Sequence, residues 1–533
     1  MRFTASTYPT RIMLTLTALL LGVLACAQGD IQIPPTLPAT HPAETDSSTT
    51  TGSNPSSTST SDAGSPNASP TIAVTNDATP VQPEPLITAT YPPTATLAIT
   101  ETVRTILYEA QPGDTLTFVA MRFGVLPEDI TVVEGSIPDV ESLIDPETLL
   151  IIPSRLGETG PSDHLIPDSE FVYSPHTVNF DVNAFVAQQG GYLSRYREFL
   201  ATGWHTGAQV VTKAARDNSV NPRILLAMLE YLSSWVTNPR TPSGDALIYP
   251  LGYIDPNNSG LYRQLSVLSD EMGVGYYGWR GGTLTALTFP DGSEMRMAPD
   301  LNAGTVALQY FLAQRMNPES WADAVDVNGV ITTYRNFFGD PWLYMHPLYE
   351  PGLVQPPLEL PFLPGRIWAF TGGPHGAWDR EAAWAALDFA PTSTPGGCQV
   401  SGDWATAVAP GFIVRTGNGV VVLDLDGDGL EQTGWVITYL HVADDGRVAE
   451  GVFVEEGDLI GHPSCEGGRA TGSHIHITRK YNGEWILADG PLPFVLSGWE
   501  AHAGTQAYQG ALTKGDQIVL ACYCVTDETL IWR

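Results

Sequence analysis

Four histidines and one aspartate in the last third of the chain carry the chemistry. Gly472-Ser473-His474-Ile475-His476-Ile477 sets two imidazoles two residues apart. On a strand, residues at that spacing face the same side. Both rings would then point into one cleft, with Ile475 and Ile477 on the opposite, core face. His375 sits in a Gly/Pro loop, Thr371-Gly-Gly-Pro-His375-Gly376, and Asp388 follows in Trp384-Ala-Ala-Leu-Asp388-Phe389. His441 ends Thr438-Tyr-Leu-His441. Taken alone, His474-x-His476 is a weak motif whose plain reading is a pair of surface histidines. With His375 and Asp388 it becomes two or more imidazoles plus a carboxylate, the donor set of a catalytic zinc site that keeps one position open. An Asp388 buried beside Phe389 would also need a cation to offset its desolvation.

These elements, in this order, resemble the LytM/lysostaphin-type zinc endopeptidases. The likeness spans Phe370 to Trp499 and is nearest to the β-lytic branch, where a His-bearing Gly/Pro loop precedes a Leu-Asp-Phe strand. Other branches use a short His-x-x-x-Asp, and here Trp384 stands at that His position. The resemblance implies His375, Asp388 and His476 as ligands of one Zn²⁺ per chain, His474 as general base and His441 as the second catalytic imidazole. For His441 the plain alternative is a surface histidine at a strand end.

The segments around these residues must be strands. Phe412-Ile-Val414, Val420-Val-Val-Leu423, Trp435 to Leu440 and His474 to Ile477 are rich in β-branched residues and bounded by Gly and turns. They predict a mostly antiparallel β domain over residues 358–533. Tyr481-Asn-Gly-Glu-Trp485 reads as a hairpin closed by an Asn-Gly turn. Asp424-Leu-Asp426-Gly-Asp428-Gly-Leu-Glu431 reads as a hairpin tip; the alternative is a Ca²⁺ loop, which lacks the twelve-residue spacing and helical flanks of an EF-hand. Cys398, Cys465, Cys522 and Cys524 all lie in this domain, an even number, as in exported proteins held by disulfides. Cys398 and Cys465 fall in loops near the expected cleft and are expected to pair. That leaves Cys522 and Cys524, which would close a small ring. A Cys-based zinc site is the alternative, with no Cys-x-x-Cys to support it.

The chain before this domain has its own organisation. Its 533 residues suggest several domains at roughly 150 residues each. Arg2 and Arg11 precede an apolar run, Ile12 to Leu24, that is too short to span a bilayer and fits a secretory signal. The run ends Val23-Leu24-Ala25-Cys26, which resembles the lipobox of bacterial lipoproteins and implies lipidation of Cys26. Residues 1–26 are thus read as a lipoprotein signal, the alternative being an ordinary cleaved signal with an incidental Cys. Residues 27–102 are read as a disordered tether, because 37 of the 70 residues from 31 to 100 are Ser, Thr or Pro and none is Lys or Arg. Such a segment cannot bury enough apolar surface to offset its chain entropy. The formal charge of −33 excludes a phosphate-tracking surface, so no nucleic-acid partner is expected. Contact with a membrane is expected through the lipid alone. Residues 31–100 hold only five acids, Glu44, Asp46, Asp62, Asp77 and Glu84, so most of the acidity belongs to the folded domains.

Two domains are expected between tether and β domain. Gly113-Asp-Thr-Leu116, Phe123-Gly-Val125 and Ile152-Pro153 resemble a LysM module over residues 103–156, implying a small β-α-α-β fold that binds N-acetylglucosamine polymers. A degenerate spacer is the alternative. Residues 175–350 read as all-helical: Phe185, Tyr192, Tyr196, Phe199 and Leu200 recur at helical spacing, Val210 to Asn218 follows, and Asn221-Pro222 opens a buried helix through Trp235. Another helix is predicted across Asn302 to Leu312. Val220 to Ala227 weakly resembles the segment before the catalytic Glu-Ser pair of lysozyme-like transglycosylases. Leu232 stands where the acid would be, and a leucine cannot protonate a glycosidic oxygen; Glu230 is the alternative acid. Tyr276, Tyr277 and Trp279 are read either as a sugar groove or as core.

The combined expectation is a multi-domain α+β chain whose LytM-like β domain follows an all-α domain and a small LysM-like domain. It would be an exported, lipid-anchored zinc metalloendopeptidase cutting the peptides of peptidoglycan, at the outer face of the cytoplasmic membrane or the cell surface. The alternatives are a wall-binding lipoprotein with an inactive peptidase fold, and a glycan-cleaving enzyme acting through the helical domain.

Overall fold

The computed structural model describes residues 104–378, 382–394 and 396–533. All belong to one compact unit, Leu97–Arg533. The expected signal with Cys26, and the expected tether, lie outside the described residues. Among the described residues, no helix is long and apolar enough to cross a membrane.

The N-terminal module has its own small core, including Tyr108, Leu116, Val119, Phe123, Leu150 and Ile152. Thr105–Glu109 pairs antiparallel with Leu149–Pro153, which also pairs with Thr131–Val132. The predicted helix forms over Leu116–Phe123, capped by the Thr115 side chain and ended by Gly124 at φ 63°. A second α-helix does not form. Pro127–Asp129 makes only a 3₁₀ turn, and Gly135 at φ 87° and the following Pro138 interrupt what comes after. The buried Asp114 accounts for the Gly-Asp-Thr motif: it pairs with buried Arg122 and accepts from Tyr108 Oη at 2.7 Å and the Gln111 N–H at 2.8 Å.

The central region is mainly helical. Helix α1, Gly207–Asn218, starts on a capping box between Thr206 and Gln209. Helix α2, Pro222–Ser233, starts on an Asn221 cap with Pro222 in the first turn and is apolar along its buried length. The longest helix among the described residues, α3, is Leu261–Arg280. The predicted helix near Asn302 runs Ala303–Ala313. Phe199 and Leu200 depart from their helical expectation. They lie on a strand, Arg197–Leu200, paired with Gly203–Thr206, because Gly203 at φ 105° turns the chain back. Tyr276, Tyr277 and Trp279 are buried in the shared core, which decides between groove and core.

The C-terminal region carries a nine-stranded antiparallel sheet. Its strands that matter most are β1 (Ile367–Gly376), β2 (Trp384–Pro391), β3 (Trp435–Leu440) and β4 (Ile475–Tyr481). The order across the centre is β3-β4-β2-β1, with Gly411–Gly417 and Val420–Asp424 beyond β3 and Leu530–Trp532 beyond β1. Asn482 and Gly483, at φ 48° and 81°, form the predicted tight turn between β4 and Glu484–Trp485. Phe370, Leu387, Phe389, Ile437, Ile475 and Ile477 fill the core on one side. Tyr481, Trp485 and Ile486 instead join the core of the helices. Buried charges lock the two regions together: Arg280 Nη2 lies 3.1 Å from Asp168 and its Nε 3.0 Å from Glu484, while Arg415 bridges Asp217 at 2.8 Å and Glu431 at 2.9 Å.

Candidate metal centre

The β-sheet register brings the predicted ligands together. His476 on β4 is the direct partner of Asp388 on β2, and Asp388 is paired with Gly372 on β1. A side chain at Gly372 would collide with Asp388, since its Cβ would sit 2.6 Å from Oδ2. His375, three residues further along β1, reaches the same point. His375, Asp388 and His476 are all buried and form one cluster able to hold a metal ion. Ile475 and Ile477 are fully buried on the other face, as the alternation requires.

Backbone carbonyls fix which nitrogen of each imidazole faces the cluster. His375 Nδ1 lies 2.8 Å from Gly373 O and must donate to it, leaving Nε2 as a lone pair. His476 Nε2 lies 3.1 Å from Ala377 O and must donate there, leaving Nδ1 as the lone pair. These two nitrogens are 3.0 Å apart. Asp388 Oδ1 lies 3.3 Å from the first and 3.4 Å from the second, is buried, and has no hydrogen-bond partner. Three electron pairs converging on one buried point repel one another unless a cation or proton lies between them. The N, N, O donor set and the carbonyls orienting both rings fit zinc.

Electrostatics at the cluster express the same demand. Burial works against a charge on His375, but the Asp388 carboxylate outweighs it and raises the imidazole above its ordinary value. Burial pushes Asp388 up, yet His375 and His474 together hold it well below the usual carboxylate range. Burial lowers His476.

Two further imidazoles flank the cluster. His474 Nε2 lies 3.6 Å from Asp388 Oδ1, and its Nδ1 is held 2.8 Å from Gly472 O. His441 packs on His474 with ring centroids 4.5 Å apart, and its Nδ1 is held 2.8 Å from Glu466 O. Neutral, each therefore offers its Nε2 as a proton acceptor. Burial, reinforced by the His474 and His476 rings, pushes His441 down to about 3. His441 stands in the left-handed region at φ 64° and is buried, not a surface residue at a strand end. Cys398 is bonded to Cys465, next to the Glu466 carbonyl that holds His441, and Cys522 is bonded to Cys524.

Other expectations are placed apart from this centre. Asp424, Asp426 and Asp428 do cluster, but Asp424 is satisfied by the Asp426, Gly427 and Gly429 N–H groups of the hairpin tip. Glu431 does not join them: its carboxylate is taken by Arg415, Lys480 and Arg216. Glu230 accepts from the Val236 and Thr237 N–H groups, both at 3.0 Å, and so closes the loop after α2. Sequence reasoning missed Tyr508, whose ring stacks on His375 with centroids 4.0 Å apart. It also missed the Gly373 and Ala377 carbonyls, since nothing in a sequence marks a main-chain acceptor.

Known proteins resemble this chain in two parts. Residues 164–351 match the family model described as LasA, N-terminal domain. The chain is 22% identical over 352 residues to Protease LasA of Pseudomonas aeruginosa, covering 61% of this chain and 75% of that protein. Among solved structures, an M23 metalloprotease, pseudoalterin, from the deep sea is 21% identical, with 34% of this chain and 99% of that chain covered and a TM-score of 0.28. The catalytic domain of the antimicrobial peptidase lysostaphin from Staphylococcus simulans is 23% identical over 22% of this chain and 80% of that chain, with a TM-score of 0.16. The helical region is thus similar to the N-terminal domain of LasA, and the chain at large to a protease over three quarters of that protein's length.

Proposed function

We propose that this protein is a zinc-dependent endopeptidase of the LytM type that cleaves peptide bonds in peptidoglycan. The observation that carries the reading is the partnerless, buried Asp388 Oδ1 beside the lone pairs of His375 Nε2 and His476 Nδ1. The likeness to a protease supports it. Zinc held by these three atoms would supply the Lewis acidity that makes water a nucleophile near neutral pH.

The chain's own groups do the rest. His474 Nε2 takes the proton of the attacking water and delivers it to the leaving amine. His441, whose Nδ1–H is spent on Glu466 O and whose ring stays neutral, would accept from the attacking water at its Nε2 and orient it for His474. The Cys398–Cys465 bond holds the backbone on which His441 depends. Gly372 leaves the space that lets Asp388 approach β1.

The remaining parts serve delivery. Cys26 carries lipid, the tether spaces the protein from the membrane, and the module at 103–156 binds glycan and raises the local concentration of the peptidase on its substrate. The test is mass spectrometry of peptidoglycan digested by the purified protein, with and without a chelator. New peptide termini that vanish with the chelator support the reading. New sugar ends would favour a glycosidase, and no new ends a binding protein.

A further inference from the structure

His375 is the first of three aromatic rings running from the metal centre to solvent. Tyr508 stacks on it, with centroids 4.0 Å apart and planes 22° apart. Tyr523 lies 5.6 Å beyond Tyr508. His375 is buried, Tyr508 half-buried and Tyr523 72% exposed.

All three are tied to β1. His375 is part of it. The Tyr508 carbonyl accepts the Gly373 N–H at 2.9 Å, and its N–H donates to Pro374 O at 3.2 Å. Tyr508 holds φ at 70°, a conformation an L-residue keeps only when its surroundings impose it. The Cys522 N–H donates to Phe370 O at 3.3 Å, five residues before His375 on the same strand.

Tyr523 is the single residue between two bonded cysteines. The ring is anchored at its other end too, where the buried Thr529 Oγ1 donates to Cys524 O at 3.4 Å. A loop closed this tightly fixes the backbone of Tyr523 before anything binds. Single exposed apolar residues are ordinary. An exposed tyrosine on a covalently closed loop, tilted 43° against the ring that itself stacks on His375, is a pre-organised contact that costs little entropy to use. Leu520, three residues before it, and Val525, two after it, are also exposed, at 50% and 58%.

We infer that Tyr523 is a substrate-contact residue that binds an uncharged stretch of the peptide chain on the His375 side of the metal centre and thereby sets KM. This rests on the peptide-cleaving reading. It concerns binding, not the proton transfers, which belong to the opposite flank where His441 packs on His474.

The test uses the full, zinc-loaded chain and a soluble cross-linked stem-peptide dimer released from peptidoglycan. Steady-state hydrolysis is measured for wild type, Tyr523→Ala, Tyr523→Phe and the Cys522→Ser/Cys524→Ser double variant. Tyr523→Ala is expected to raise KM by about five- to tenfold, the scale of one aromatic contact, with kcat, zinc content and melting temperature unchanged. Tyr523→Phe keeps the wild-type KM, because the ring face is what binds. The double variant raises KM in the same direction. A wild-type KM in Tyr523→Ala, a fall in kcat at constant KM, or a loss of zinc would each overturn the inference. Affinity for the same dimer is measured in parallel for wild type and Tyr523→Ala. Were wild type to bind the dimer without cutting it, the peptidase reading would fail, while a weaker Kd in Tyr523→Ala would still support the contact. Equal affinities, or no binding by either, would overturn the contact.

Discussion

Asp388 and His476 are register partners on adjacent antiparallel strands, and Asp388 Oδ1 lies 3.4 Å from His476 Nδ1. Neither group has a proton to give the other when the carboxylate is ionised and the imidazole donates its only N–H to Ala377 O. The pairing makes sense around a cation. Asp388→Asn keeps the shape and removes the charge. It should weaken zinc binding by more than about 100-fold, beyond what loss of a second-layer partner costs. Metal analysis after dialysis against a weak chelator checks this; wild-type zinc content in the variant would refute the ligand assignment.

This relationship was legible in the sequence as far as period and composition reach. The i, i+2 spacing of His474 and His476 put both rings on one face, and the Leu-Asp-Phe strand supplied the carboxylate. The strand pairing that makes Asp388 face His476 is a long-range contact, which no local spacing encodes. The same limit explains the rest. Phe199 and Leu200 matched a helical period, yet Gly203 made them a hairpin. Glu431 followed a run of calcium-like acids, yet Arg415 from another strand claimed it. Tyr508 gave no motif at all, because its contact with His375 exists only in the folded chain.

The two flanking imidazoles should separate from the ligands in their phenotypes. His474→Ala is expected to keep zinc and lose about 10²–10⁴-fold in kcat, the usual worth of a positioned base. His441→Ala should keep zinc and lose on the order of 10²-fold, the scale of a misplaced reactant. Zinc content and single-turnover rates on the same preparations decide it. Loss of zinc in either variant would reassign that residue as a ligand.

His441 also predicts a pH dependence of stability for the protein stripped of metal. Burial holds it down at about 3, whereas in the unfolded chain it titrates near its ordinary value of about 6.5. Below that value the unfolded state binds the proton that the folded state refuses. Its contribution is thus intact above about pH 6.5 and is lost as pH falls from there toward 3, amounting to about 2 kcal/mol at pH 5. Denaturation of wild type and His441→Phe at pH 7 and pH 5 tests the sign. The variant should lose less stability than wild type on acidification.

Arg280 joins the helices to the β domain. Its guanidinium, almost buried, lies between Asp168 and Glu484, and Glu484 also accepts from Tyr276 Oη at 2.9 Å. Arg280→Met would strand a buried carboxylate and should cost about 3–5 kcal/mol. Adding Glu484→Gln should restore part of that loss. Additive losses in the double variant would show that the two charges do not interact.

If the His375, Asp388 and His476 cluster is a zinc centre for peptide cleavage, activity must follow its metal. The direct measurement is a zinc titration of chelator-stripped protein, with cleavage of cross-linked peptidoglycan followed by mass spectrometry. New peptide termini should appear in proportion to zinc, saturate at one equivalent per chain, and stay absent at that zinc level in Asp388→Asn. Cleavage that persists without metal, or that the Asp388→Asn variant supports at the same zinc level, would contradict it.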